Sequence, residues 1–132
     1  MNLERYRVPS AIWEGEWIEL PDSDGARFLV KLPSPANREW QREMLQLMVG
    51  SGVKLDALGE VDTSDVDTQS LMAYTRKRLE VFARLCVVAG PAEFDLASLT
   101  GEYWPALQKL WELADARVTA QAEEAQTAVG ES

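Results

Sequence analysis

Asp62, Asp65 and Asp67 place three carboxylates within the short stretch VDTSDVD. Acids this close together are the raw material of a hard-cation site, because calcium and magnesium take oxygen ligands. The stretch lacks the central glycine and the later glutamate of a calcium loop, so a solvated acidic loop is the expected outcome. A second group, Glu14, Glu16 and Glu19, is interleaved with Trp13 and Trp17. Paired carboxylates beside aromatic rings could serve a sugar site, but the same residues are common along a strand edge. Histidine is absent from the chain, which removes the commonest general base, metal ligand and nucleophile activator. The single cysteine, Cys86, can form neither an internal disulfide nor a thiolate metal cluster, and Cys-His and Ser-His-Asp arrangements are excluded. It lies in the apolar run VFARLCVVAG, where a buried thiol in a reducing compartment is expected. The GSG at 50–52 follows a helical pattern rather than a strand, the wrong context for a phosphate loop. The expectation is a non-enzymatic protein without metal or cofactor.

The elements that carry these residues can be read from their periodicity. A chain of 132 residues is one domain by default. It buries roughly two-thirds of its unfolded surface, enough for a core without staples. Residues 1–11 read as a flexible lead-in and 12–118 as the domain. Alternation over 16–20 and 26–32 predicts a hairpin spanning 16–32, with Ile18 and Leu20 on one strand's inner face and Phe28, Val30 and Leu32 on the other's. PDSDG between them is turn chemistry. A lone hairpin is marginal in water and needs helices against its apolar face. Ser34 and Pro35 predict a helix start, and Trp40, Met44, Leu47 and Met48 share a helical face over 35–49. Residues 50–67 predict an acidic loop. Leu71, Met72, Thr75, Leu79, Phe82, Leu85 and Cys86 mark a second helix over 68–89, stopped by Gly90-Pro91. A short helical turn, with Leu96 and Leu99 facing inward, precedes a last helix over 102–118. Its stripe is Leu107, Leu110, Trp111, Ala114 and Val118. Residues 119–132 keep helix propensity but lose the stripe, so a frayed tail is expected. The fold class that follows is α+β, mainly α: an N-terminal β-hairpin packed on a bundle of about three to four helices.

Charge and aromatic content narrow the partners. The net charge is −9, which opposes phosphate-driven nucleic-acid binding. No apolar run is long enough to span a membrane, and MNLERYRVPS lacks the apolar core of a signal peptide, so a cytosolic location is expected. Residues 71–90 carry four bases, Arg76, Lys77, Arg78 and Arg84, against Glu80, between two acidic stretches. Internal charge balance on solvated faces accounts for such a pattern. Five tryptophans are many for this length. A small domain has room in its core for about two or three, and tryptophan is over-represented at binding hot spots.

Taken in order, DGARFLVKLPSPANREWQREM, a helix, an acidic insert, a second, basic helix and LTGEYWPALQKLWELADA form a pattern. It resembles the tail assembly chaperones of long, non-contractile-tailed bacteriophages and prophages. The matching positions are Asp24-Gly25, Phe28 to Lys31, Asn37, Arg38, and the terminal Pro105, Leu107, Leu110 and Trp111. The similarity covers most of 12–118. Many family members close the middle helix with a W-x-G segment, where this chain has CVVAGPAEFD. The resemblance implies a protein of the host cytoplasm that coats the tape measure protein, helps recruit tail tube subunits, and is absent from the mature virion. Self-association is left open.

A long amphipathic client would bury its stripe in an apolar groove. Met44, Met48 and Met72 suit such a groove, because methionine repacks cheaply. Trp40 and Met44 are then expected to pack on the hairpin. Leu47, Met48, Leu79, Phe82, Leu85, Leu107, Leu110 and Trp111 are the expected client-binding residues. The alternative closes every stripe into one dry core, as in a small structural subunit of a phage tail or neck. A third reading is an acidic inhibitor or antitoxin-type binding protein.

Overall fold

A computed structural model of the chain describes residues 3, 7–51, 54–55, 61–62, 68–92 and 94–130, with the backbone alone for 51, 54–55, 61–62 and 125–130. Among these residues the fold is α+β and mainly α. A short 3-10 turn, Ser10–Ile12, leads into strand β1 (Glu16–Glu19), which pairs antiparallel with β2 (Arg27–Val30). The register sets Ile18 opposite Phe28 and Trp17 opposite Leu29. One face of the hairpin therefore buries Ile18, Leu20, Phe28, Val30 and Leu32, while Trp17, Glu19 and Arg27 stay outside. The turn closes through its own side chains. Ser23 Oγ donates to the Leu20 carbonyl at 2.6 Å and accepts from the Ala26 N–H at 3.1 Å. Asp22, Asp24 and Gly25 take positive φ there, a region that aspartate and glycine enter more readily than other residues.

Helix α1 (Arg38–Ser51) begins three residues later than Ser34 and Pro35 suggest. Asn37 is the effective cap: its Oδ1 accepts from the Trp40 N–H at 3.2 Å, and its Nδ2 donates to the Leu32 carbonyl at 3.3 Å. Ser34 closes the turn before it, accepting the Ala36 N–H on Oγ and the Asn37 N–H on its carbonyl. Two short strands follow, β3 (Lys54–Leu55) and β4 (Val61–Asp62), paired antiparallel inside the stretch expected to be an acidic loop. The rest of 52–67, with Asp65 and Asp67, lies outside the described residues. So do the side chain of Asp62 and with it the cation site considered above.

Helix α2 (Thr68–Leu85) ends earlier than the 68–89 expected. Its last turn closes with the Cys86 N–H donating to Phe82, and Val87–Ala89 then forms strand β5, antiparallel to β2. Val87 and Val88 extend the helical stripe on paper. They are β-branched, and β2 offers an open edge, so they join the sheet instead. The sheet order is β1-β2-β5, and its inner face adds Val87. Gly90 is needed where β5 leaves the sheet, because a Cβ there would sit 2.9 Å from the Phe28 ring.

A second 3-10 turn, Leu96–Thr100, is capped by Asp95 and buries Leu99. Helix α3 (Trp104–Gly130) starts two residues later than expected and continues past 118, where a frayed tail was expected. Its first four turns bury Leu107, Leu110 and Ala114 against α2 and the 3-10 turn. Of residues 119–124, Gln121 is half-buried and the others are exposed. Arg117 pairs with Glu16 and ties α3 to β1, and Arg84 pairs with Glu43 at 3.2 Å across α1 and α2.

The core is one cluster under the sheet and between the helices. At its helical end Trp40, Phe82 and Trp111 form an aromatic triangle, with Phe82 edge-on to both indoles. The ring partners of Trp40 are thus on α2 and α3, where the hairpin was expected. Trp40 joins three helices. Cys86 is fully buried beside the sheet, and burial pushes its thiol up to about 12, with Lys31 opposing the shift and Glu39 adding to it.

Candidate functional site

The open apolar surface lies where α2 and α3 begin. Leu71, Met72, Ala73, Thr75, Arg76 and Leu79 of α2 face Trp104 and Gln108 of α3 across a groove of about 500 Å3. The spacing of the α2 residues explains the arrangement: 71, 72, 75, 76 and 79 fall on one helical face, so a single stripe supplies one wall. The opposite wall follows from the start of α3. Pro105 fits the first turn, where its missing N–H costs nothing, and it fixes Trp104 at the lip. Leu79, 3% exposed, forms the floor. Met72 stands at the rim with 67% of its surface in water, a large exposure for an unbranched apolar side chain.

Among the described residues Arg76 is the one charged residue lining this groove. Its guanidinium lies over the Trp104 ring, 4.6 Å from the centroid. Nη2 donates to the Thr100 carbonyl at 3.5 Å, and Nε pairs with Glu80 at 3.4 Å. These contacts hold the planar group across one end of the groove.

The eight residues expected to bind a client fare differently. Leu79, Phe82, Leu107 and Leu110 are buried in the core, and of these four Leu79 also floors the groove. The reason is geometric: the stripes of α2 and α3 that were to line a groove face each other, so over their central turns they close it. Leu47, Met48, Leu85 and Trp111 are half-buried at the core's margin. Only Leu79 touches the groove, from beneath. Leu47 lines a different, charged cleft of about 720 Å3 with Glu43, Gln46, Lys77, Glu80, Val81, Arg84 and Thr100. Met44, counted with the adaptable groove residues, is buried. Leu71, Met72 and Trp104 form the groove instead. Met72 was legible as an adaptable position, but nothing local marks Trp104 as its partner.

Other surfaces do less. Trp13 and Trp17 are exposed, about half of each in water, and Arg27 lies 5.6 Å over the Trp17 ring. None of Glu14, Glu16 and Glu19 lines the shallow recess beside Trp17, and Glu16 is held by Arg117. The carboxylates therefore do not converge on the aromatic rings. Arg78 lies between Tyr74 and Trp111, 4.8 Å over the indole, with a buried Nε that has no hydrogen-bond partner. Burial raises the Tyr74 hydroxyl above its usual range, and the Arg78 charge opposes that shift. Among the described residues no group of three or more Cys, Asp or Glu side chains could hold a metal, and no helix is long and apolar enough to cross a membrane.

No protein-family model matches the chain, and no curated protein or solved structure does. The groove combines apolar walls, an exposed methionine at the rim, a tryptophan lip and, among the described residues, one cation.

Proposed function

We propose that the protein is a phage tail assembly chaperone, acting in the host cytoplasm and absent from the mature virion. It binds amphipathic helical stretches of the tape measure protein and helps bring tail tube subunits to the growing tail. The observation that carries this reading is the open groove between the starts of α2 and α3, with Met72 at its rim and Trp104 at its lip. Such a groove accepts one apolar stripe of a helix, and its methionine adapts to successive stripes of differing shape. The net charge of −9 would keep a many-copy complex soluble. The resemblance over 12–118 supplies the identity of the client. Co-expression with the tape measure protein tests the reading: a soluble complex with many copies per client is expected. An insoluble client beside free chaperone would overturn it.

A small structural subunit of the tail or neck is the second reading. Its support is the burial of Leu79, Phe82, Leu107 and Leu110, which closes most of the helical stripes into one core, together with the exposed Trp13 and Trp17. The two readings part on purified particles. A structural subunit persists in them, and a chaperone is missing.

A further inference from the structure

We infer that the groove selects helices with an acidic side chain about one turn from the apolar residue seated between Met72 and Trp104. The inference rests on the reading of that groove as the client site. Of the described residues lining the groove, Arg76 alone is charged, and it is cationic in a chain of net charge −9. Its guanidinium is placed by the Trp104 ring, the Thr100 carbonyl on Nη2 and Glu80 on Nε, and a client carboxylate would meet it at Nη1. Glu80 pairs with Arg76 through Nε at 3.4 Å, with both side chains about half in water, so a client carboxylate competes with an exposed ion pair. Neighbouring positions on a helix lie three or four residues apart. A helix laid along the groove would therefore meet Arg76 about one turn from its apolar anchor. An acid at that point gains a charge-assisted bond, and a lysine there meets a fixed like charge.

Two synthetic 18-residue amphipathic peptides test this. Both carry one leucine stripe, and they differ only in having Glu or Lys one turn from the central leucine. Binding is read by fluorescence anisotropy of the labelled peptide against the full chain, at low and at high salt. The Glu peptide should bind about tenfold tighter at low salt, with the gap shrinking as salt screens it. Arg76→Gln should remove most of the gap while leaving both peptides bound, and Arg76→Lys should retain part of it. Met72→Asp should weaken both peptides by about tenfold or more. Equal affinities for the two peptides at low salt would overturn the acidic preference and leave the groove standing. Failure of both peptides to bind, or binding indifferent to Met72→Asp, would overturn the groove as a client site and the preference with it.

Discussion

The aromatic triangle and the groove are built from the same kinds of residue, yet they end in opposite states. Trp40, Phe82 and Trp111 meet at the middle of the helical layer, where three helices converge, and Phe82 has no surface left in water. Leu71, Met72 and Trp104 lie at the starts of α2 and α3, where among the described residues those two helices alone line the groove. One continuous stripe on α2 supplies both regions. Its later half finds a third helix and becomes core, and its first half does not and stays open. Hydrophobicity sets what a face can bury. The neighbours available along its length decide whether it does.

The contrast can be broken most sharply from the core side. Phe82→Ala should cost about 3–5 kcal/mol, because it opens a cavity between two indoles that cannot both collapse into it. Urea unfolding followed by tryptophan fluorescence measures it, and a loss under about 1 kcal/mol would mean the triangle is loosely packed.

Alkaline titration gives the next effect. The Cys86 thiol sits at about 12 in the fold against 9.0 when free, so the folded chain holds its proton where the unfolded chain has released it. The stability this confers is complete below pH 9 and falls as pH rises from about 9 toward 12. Tyr74, shifted in the same direction, adds to the fall. Cys86→Ala should flatten the decline seen by thermal unfolding over that range. In the native protein a thiol reagent at pH 8 should react far more slowly than in urea.

Asn37→Ala should produce a smaller loss of about 1 kcal/mol, that of one helix cap, while Ser34→Ala should lose less. Equal losses would return the cap to Ser34. The comparison also sharpens the lesson of how helix α1 starts. Ser34-Pro35 is a good start signal by residue type, but Asn37 wins because its amide reaches both the Trp40 N–H and the carbonyl of Leu32, the residue that ends the hairpin's buried face.

Much of the architecture was legible for local reasons. The alternation of Ile18 and Leu20 against Phe28, Val30 and Leu32, with PDSDG between, specifies a hairpin and its buried face. The helical stripes around Met44, Phe82 and Leu110 likewise specify three helices. What escaped depends on partners distant in sequence. Val87 and Val88 look like the end of a helix until β2 is seen to lack a neighbour on that side. The groove escaped for the same reason. Periodicity places Leu71 and Leu79 on one face and cannot say that Leu79 is buried while Leu71 lines an open groove. Trp104 looked like any of the five tryptophans, and only the start of α3 against α2 turns it into a wall.

The central claim is that the open half of the α2 stripe binds the client and the closed half does not. Co-expression of the tape measure protein with Met72→Asp tests it, with Leu45→Asp as the control, since Leu45 is also mostly exposed, on α1, and does not line the groove. Both substitutions should change stability by no more than about 0.5 kcal/mol, since neither side chain is buried. Met72→Asp should leave the client insoluble, while Leu45→Asp should keep it in a soluble complex. Equal behaviour of the two variants, whether both retain the client or both lose it, would contradict the account.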